Sequence, residues 1–276
     1  MPRSIWISLF ISTMTIAFSF AFASLAQPST SSAAPSTRTS EQSIADSTTS
    51  TPPPPPPPTT TTTLPLAHPS PDSPLIGTDG SAPVVSRVPT ADKVIFLTID
   101  DGMIRDPAVV TILKREQIPV ALFINPGPAK DGQAYFRELV DSGLATVDAH
   151  TTTHESLRGL SFSEQQARVC STNDLFTEMF GRRPTLFRPP YGGWDATTRK
   201  AAASCGLRSV IVWQGATNNG RLDLPEGHFV EGDIILMHFR LDLAENLKLI
   251  ITKARSEGFR FGRLIDYVGG DDNKTT

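Results

Sequence analysis

The hydrophobic pattern of the chain changes near residue 91. From there, short apolar runs alternate with segments whose apolar residues recur at helical spacing. The apolar runs predict buried strands at 93–99, 119–124, 144–149, 185–188, 209–213 and 233–238, with a short last strand within 259–264. Helices are predicted after Asp106, over 133–142, from Ser161 to Gly181, at about 195–205 and over 243–257. This alternation indicates an α/β fold with a parallel sheet, either an open doubly wound sheet or a closed or incomplete barrel.

Residues 27–90 have a composition that does not support a folded core. This stretch holds 15 of the chain's 24 prolines and 25 Ser or Thr residues in 64 positions. A segment so poor in apolar side chains buries too little surface to offset the entropy lost on ordering. We therefore expect a disordered linker over 27–90, one folded domain over 91–268 and a polar tail over 269–276.

The first 26 residues have the pattern of an export signal. Arg3 precedes an uncharged, mostly apolar stretch from Ile5 to Ala26, and small residues at Ser24 and Ala26 suit cleavage before Gln27. The same stretch is long enough to serve as an uncleaved membrane anchor, so both alternatives stay open. In either case we expect the domain to be secreted or associated with the cell surface or wall.

The two cysteines, Cys170 and Cys205, are consistent with an exported protein. In an oxidising compartment an even number of cysteines favours a disulfide, and two buried free thiols are the alternative. Neither cysteine has a histidine or a second cysteine at metal-ligand spacing. The sequence therefore predicts a Cys170–Cys205 bridge.

Ionisable residues lie at the ends of the predicted strands. Asp100 and Asp101 end the first strand, His150 follows the third, Arg188 ends the fourth and His238 ends the sixth. In parallel α/β folds the functional site gathers at the carboxyl ends of the strands. The pattern therefore indicates one functional site at that edge of the sheet.

The pair His150 and His154 suits a metal ion. These histidines stand four positions apart in HTTTH, a spacing that lets both imidazoles reach one ion from a helical turn or a loop. Two imidazoles and one carboxylate leave coordination positions open, which is typical of a catalytic rather than a structural site. Two polar surface residues are the alternative interpretation.

Four segments, taken in order, resemble the motifs of the polysaccharide deacetylase family with a NodB homology domain, also known as carbohydrate esterase family 4. They are TIDDG (98–102), HTTTH (150–154), RPPYG (188–192) and LMH (236–238). The resemblance covers roughly residues 91–268. By analogy it implies the distorted, incomplete (β/α) barrel of that family.

The resemblance also implies roles for five of the strand-end residues. Asp101, His150 and His154 would bind a divalent metal, usually zinc in this family. Asp100 would be the general base that takes a proton from the attacking water. His238 would be the general acid that protonates the leaving amine.

Four further positions would support this chemistry. Arg188 would orient Asp100, and the Tyr191 backbone N–H would help to hold the oxyanion. Leu236 would line the pocket for the acetyl methyl group. Trp213 is a pocket candidate only because it lies at a strand end.

One segment departs from the family pattern. The family carries an Asp-rich motif ending in Asp-Trp after the strand that here ends at Trp213, and its positions fall on Ala216, Asn219 and Gly220. The usual Asp pairs with the acid histidine and sets its charge state. Its loss predicts lower activity or a shifted pH profile. Asp223 is the nearest acidic residue in sequence.

The implied function is a secreted, metal-dependent carbohydrate deacetylase. We expect a monomer acting on an acetylated polysaccharide such as peptidoglycan, a chitin oligomer or xylan, with N-acetyl groups of GlcNAc-type residues as the target and O-acetyl groups as the alternative. A catalytically weak carbohydrate- or wall-binding protein that keeps the barrel is the competing hypothesis. A net charge of −3 and the lack of any basic run of five residues argue against a nucleic-acid partner.

Overall fold

Residues 80–268 are described by a computed structural model, and they form a curled sheet with helices packed on its outer face. The strands are β1 (Val84–Val85), β2 (Val94–Asp101), β3 (Val120–Ile124), β4 (Ala145–Ala149), β5 (Leu186–Phe187), β6 (Ser209–Ile211), β7 (Gly215–Asn218), β8 (Arg221–Asp223), β9 (Ile234–His238) and β10 (Arg260–Phe261). The helices are α1 (Pro107–Glu116), α2 (Pro126–Asp131), α3 (Gln133–Asp141), α4 (Phe162–Cys170), α5 (Asn173–Phe180), α6 (Ala196–Ser204), α7 (Leu243–Ser256) and α8 (Leu264–Val268). Over this range no helix combines the length and apolar character that a membrane span requires.

The strand order is that of an incomplete barrel. The order is β1-β6-β5-β4-β3-β2-β9-β7-β8, and β10 pairs with the start of β2. Neighbouring strands are parallel except in the β7–β8 hairpin. Because β1 and β8 stand at the two ends of this order, the hydrogen-bonded ladder does not close. This architecture confirms the predicted distorted, incomplete (β/α) barrel.

The inner face of the sheet is apolar at the amino ends of its strands and polar at their carboxyl ends. Helix α8 closes the apolar end, where the Tyr267 ring packs edge-on against Phe96 with ring centroids 4.8 Å apart. The Ser209 hydroxyl, at the start of β6, donates to the Val268 carbonyl. The outer face carries a larger core between the sheet and helices α1, α3, α5 and α7. Helix α8 therefore fills the amino end of the inner face, and the polar side chains lie at the opposite, carboxyl end.

The folded domain begins before residue 91, so the predicted linker boundary at 90 is wrong. Strand β1 pairs with β6, and Val88 is buried. Arg87 donates to the fully buried Asp233 at 2.7 Å, which holds this segment against the start of β9. Prolines on both sides of β1 are compatible with an edge strand. The proposed signal or anchor, the rest of the linker and the tail lie outside the described residues.

The long helix expected from Ser161 to Gly181 is two helices. Its predicted capping box at Ser161 is present, but α4 ends at Cys170. The hydroxyls of Ser171 and Thr172 donate back to carbonyls of α4, which competes with continuation of the helix. The predicted disulfide is present and joins Cys170 to Cys205 at the end of α6.

Other differences concern short elements. The strands expected at 185–188 and 209–213 are only two and three residues long as β5 and β6. Helices α2 and α8 and the β7–β8 hairpin were not predicted. These helices and strands are three to six residues long, too short for a periodic pattern to be recognised.

Candidate active site

Two neighbouring carboxylates project from the end of β2 into the same space. In the parallel register Asp100 pairs with His238, so their side chains share the inner face of the sheet. The next side chain would normally point to the other face, but Asp101 has a φ of 74°. This left-handed turn brings both carboxylates near His150, whose Nε2 lies 3.8 Å from Asp100 Oδ2 and 3.6 Å from Asp101 Oδ1.

The two histidines of HTTTH lie in a loop rather than on a helical turn. His150 directly follows β4 and is buried, whereas His154 is partly exposed and has a φ of 59°. The Thr151 hydroxyl accepts from the His154 backbone N–H, and the Asn125 amide donates to the carbonyls of His150 and Thr151. These bonds hold the two imidazoles with ring centroids 5.0 Å apart.

The tautomer of His150 follows from its backbone partner. Its Nδ1 lies 2.7 Å from the Arg188 carbonyl oxygen, which can only accept, so Nδ1 carries the proton. The lone pair is then on Nε2, which faces Asp101. Metal-ligating histidines typically have this arrangement, in which one ring nitrogen donates its N–H to a fixed acceptor and the other nitrogen binds the metal.

Asp101, His150 and His154 fit a divalent metal ion. One ligand atom from each lies within 4.8 Å of the others, and His154 Nε2 is 3.3 Å from Asp101 Oδ1. Asp101 Oδ1 and His150 Nε2 are buried with no hydrogen-bond partner. Leaving such atoms unpaired is costly, and a bound cation would satisfy both. Two imidazoles and a carboxylate are a common ligand set for catalytic zinc.

The protonation states in this cluster also suit metal binding. Burial raises the pKa of Asp101, but the contact with His150 and the nearby His238 and His154 outweigh it and hold the pKa below its ordinary value. Burial and the neighbouring His150 lower the pKa of His154, and the two aspartates only partly offset this. At neutral pH the cluster therefore offers an ionised carboxylate and a neutral His154.

Asp100 is held by a buried arginine. Arg188 is fully buried, and its Nη1 donates to Asp100 Oδ1 at 2.7 Å and to Thr98 Oγ1 at 2.8 Å. Its Cζ lies 4.4 Å from the centre of the Phe123 ring. With Oδ1 fixed in this way, Asp100 keeps Oδ2 on the side of His150.

His238 shares the inner face with Asp100 but has a different electrostatic environment. Burial lowers the pKa of His238 more than Asp100 and Asp101 raise it, and Arg240 and Arg188 lower it further.

The segment that departs from the family pattern forms the β7–β8 hairpin. Ala216 pairs with Leu236, two residues before His238 in β9, and Asn219 and Gly220 form the hairpin turn. Asp223 is exposed and pairs with Ala216 across the hairpin.

The three substrate candidates surround the same space. Tyr191 is 74% exposed, has a φ of 59° and places its ring against His154, with centroids 4.7 Å apart. Trp213 lies under the same turn, since a Cβ added at Gly192 would come within 2.9 Å of its ring. Leu236 pairs with Thr98 and so lies on the inner face. The structure thus brings every predicted site residue to one end of the barrel.

Asn125, Thr98 and Phe123 are parts of the site that the sequence analysis missed. Asn125 directly follows β3, so the strand-end pattern that identified the other residues applies to it as well. Thr98 and Phe123 contact Arg188 from β2 and β3. Both lie inside apolar runs, where the sequence carries no sign of a polar partner.

The geometry defines a hydrolase-type site with a candidate metal centre at the open end of a (β/α) barrel, and comparisons with known proteins agree. The family model for polysaccharide deacetylase matches residues 87–210. An uncharacterized protein of Streptomyces coelicolor is 36% identical over 196 residues, covering 67% of this chain and 77% of that protein. The chain belongs to the polysaccharide deacetylase family.

Other relatives show how far the likeness extends. The peptidoglycan-N-acetylglucosamine deacetylase PgdA of Listeria monocytogenes is 29% identical over 204 residues, which span 67% of this chain but only 41% of that enzyme. The chitin deacetylase of the fungus Colletotrichum lindemuthianum has the same fold, with a TM-score of 0.62, 19% identity and coverage of 71% and 94% of the two chains. A Bacillus anthracis pseudoenzyme of carbohydrate esterase family 4 also shares the fold, with a TM-score of 0.60, 22% identity and coverage of 68% and 69%.

Proposed function

We propose that this protein is a metal-dependent deacetylase that hydrolyses acetyl groups on an extracellular or cell-wall polysaccharide. The observation that carries the proposal is the pair of unpartnered buried atoms, Asp101 Oδ1 and His150 Nε2, beside His154. Next to them, on the same inner face, stand an arginine-held carboxylate at Asp100 and an imidazole at His238. An acetamide is a poor electrophile with a poor leaving group, so its hydrolysis needs these kinds of group together.

Asp101, His150 and His154 would hold a divalent cation, for which zinc is the expected candidate. Such an ion would supply Lewis-acid chemistry, which polarises a carbonyl group and makes water more acidic. The Arg188 carbonyl keeps the His150 Nδ1 proton in place, so Nε2 stays available as a ligand.

Asp100 and His238 move the protons. Asp100 Oδ1 is occupied by Arg188, and Oδ2 accepts the proton of the attacking water. His238, in the adjacent strand and paired in register with Asp100, donates a proton to the leaving nitrogen. The Tyr191 backbone N–H, presented by a left-handed turn, helps to hold the developing negative charge, and Leu236 lies beside the acetyl methyl group.

The expected substrate is an acetylated polysaccharide with N-acetyl groups on GlcNAc-type sugars. In support, the names of relatives refer to peptidoglycan deacetylation and to xylan deacetylation. An extracellular or wall location is supported by the apolar N-terminal sequence and by the disulfide.

The direct test is acetate release from a panel of acetylated polymers, namely peptidoglycan, chitin oligomers and acetylated xylan. The protein is treated with a chelator to remove bound metal, and zinc or another divalent ion is then added back. We expect release from at least one polymer, loss on chelation and recovery on addition of metal. The variant His154→Ala should lose activity, whereas the matched variant of an exposed histidine outside the site, His228→Ala, should retain it. Polymer binding without acetate release would favour the wall-binding hypothesis.

A further inference from the structure

A cleft of about 530 Å³ adjoins the candidate metal site. Asp101 lies in its wall, so the cleft and the metal site are continuous. The other lining residues come from the loop after β2, the β7–β8 turn and the loop after β9; they are Met103, Ile104, Asn219, Phe239, Arg240, Leu241 and Asp242. All three segments lie at the open end of the barrel. Whatever occupies the cleft therefore lies beside the reacting group.

The shape of the cleft is preformed. The Ile104 backbone N–H donates to the Phe239 carbonyl at 3.0 Å, which joins the loop after β2 to the loop after β9. The Arg105 guanidinium donates to the carbonyls of Gly102 and Met103, and these bonds stabilise the loop after β2. Ligand sites that are largely preformed lose less entropy on binding.

Its surface is partly apolar and exposed. Met103 is 62% exposed, Ile104 38% and Leu241 86%. Large apolar side chains grouped on a surface with a polar rim are typical of binding sites. Such side chains can pack against the C–H face of a pyranose ring, and the cleft is next to the point where an acetylated sugar would react.

Arg240 adds a charge to this surface. Its side chain is exposed, and among residues 80–268 it has neither a salt bridge nor a side-chain hydrogen bond. The lining also contains two carboxylates: Asp101 belongs to the candidate metal site, and Asp242 accepts from the Asn246 side chain. A free guanidinium in a preformed cleft is suited to a carboxylate, because its fork of N–H donors matches the two oxygens.

We propose that this cleft binds the sugar next to the one that is deacetylated, and that Arg240 pairs with a carboxylate on that neighbouring sugar. The inference rests on the proposed deacetylase function and narrows its substrate to acidic glycans. Two sources share this chemistry: the lactyl carboxylate of a muramic acid unit and the ring carboxylate of a uronic acid.

The test compares matched substrates that differ only in that charge. One pair is a GlcNAc–muramic acid tetrasaccharide with a free lactyl acid and the same compound as its lactyl amide. The second pair is a GlcNAc–glucuronate oligomer and its methyl ester. Acetate release gives kcat/KM for each, and the ratio of acid to neutral substrate measures the preference. We expect a ratio above one and up to about fivefold in at least one pair, which is the range of an exposed ion pair, and a smaller ratio at about 0.5 M salt.

Variants distinguish the contribution of the Arg240 charge from that of the apolar surface of the cleft. Arg240→Gln should reduce the ratio to about one, and Arg240→Lys should keep part of it. Arg221→Gln removes the same charge from exposed β8, outside the cleft lining, and should leave the ratio unchanged. Leu241→Ser should lower kcat/KM for acid and neutral substrates alike, because its contact is with the ring.

The outcomes are distinct. Preference in one pair only identifies the source of the carboxylate. Acetate release with equal kcat/KM for acid and neutral substrates in both pairs overturns the inference and leaves the deacetylase function standing. A preference that survives in Arg240→Gln also overturns it. No acetate from any substrate, with metal present, overturns the proposed function and this inference with it.

Discussion

Replacing Arg188 with methionine should destabilise the protein much more at neutral pH than at acidic pH. The arginine is fully buried and its Nη1 lies 2.7 Å from Asp100 Oδ1. Methionine keeps an apolar stem of similar length but leaves Asp100, which is 3% exposed, without its partner. Removing one member of a buried ion pair costs about 3–5 kcal/mol.

The dependence on pH follows from whether Asp100 carries a proton in the Arg188→Met variant. An ionised Asp100 in the variant is an unpaired charge in the interior, whereas a protonated Asp100 is neutral. The folded variant therefore holds this proton more tightly than the unfolded chain does, and the penalty grows as pH rises. In the natural protein Arg188 pairs with this carboxylate, so the difference in stability between the natural protein and the variant is largest at neutral pH.

Thermal unfolding of metal-free protein at about pH 4.5 and about pH 7.5 measures the effect. In a domain of this size 1 kcal/mol corresponds to about 2–4 °C, so the neutral melting temperature should fall by about 6–20 °C. The double variant Arg188→Met with Asp100→Leu should recover part of the loss, because no unpaired charge remains.

A matched control is Arg182→Met. Arg182 also pairs with a buried aspartate, Asp148, but its side chain is 28% exposed. The same Asp148 oxygen accepts from the backbone N–H groups of Thr185 and Leu186, so it keeps partners in the variant. This loss should be smaller. Equal losses for Arg188→Met at the two pH values, or a double variant less stable than the single one, would refute the reasoning.

Three further outcomes are expected. His150→Ala, loaded with a divalent metal under the same conditions as the natural protein, should bind much less of it and lose most activity, because Nε2 of that residue is one of the unpartnered atoms at the candidate metal site. Removing the Cys170–Cys205 bridge, which encloses 35 residues, should cost roughly 3–4 kcal/mol of unfolding free energy measured in denaturant. Because burial lowers the pKa of His238 below its ordinary value, the acid loses its proton before neutral pH is reached, and activity should already fall as pH rises from the acidic range towards neutral. Ala216→Asp should move this high-pH limb upward by favouring the protonated imidazole.

Each of these three predictions would be contradicted by a specific result. Full zinc content in His150→Ala would remove that residue from the metal site, and Asp100→Asn should keep the metal while losing turnover. Two reactive thiols in unfolded, unreduced protein would contradict the disulfide. A high-pH limb that is unchanged in both Ala216→Asp and Asn219→Asp would show that His238 is not the acid or is tuned by another group.

The sequence alone was sufficient for the elements with strong local patterns. The apolar runs located six strands to within a few residues, because a strand buried on both faces is a continuous apolar segment. Polar residues interrupting such runs at their ends marked the site, since parallel strands carry their carboxyl ends to one edge. Motif order then selected the incomplete barrel by analogy, where periodicity had left several α/β architectures open.

Tertiary structure decided what depends on distant partners. Strand β1 lies in a Pro- and Ser-rich stretch, and distant partners hold it in place: β6 pairs with it, and Asp233 accepts from Arg87 just after it. The break after Cys170 depends on two hydroxyls and on the turn they stabilise, and no local pattern predicted it.

The same holds within the site. The sequence placed Asp100 and Asp101 side by side, but a strand would send them to opposite faces, and only the φ of 74° at Asp101 brings them together. The cleft around Arg240 joins the loop after β2 to the β7–β8 turn and the loop after β9, which both follow more than 100 residues later in the chain. Local propensity acts over a few residues, whereas these features depend on how the strands are ordered in the sheet, and that order is a property of the whole fold.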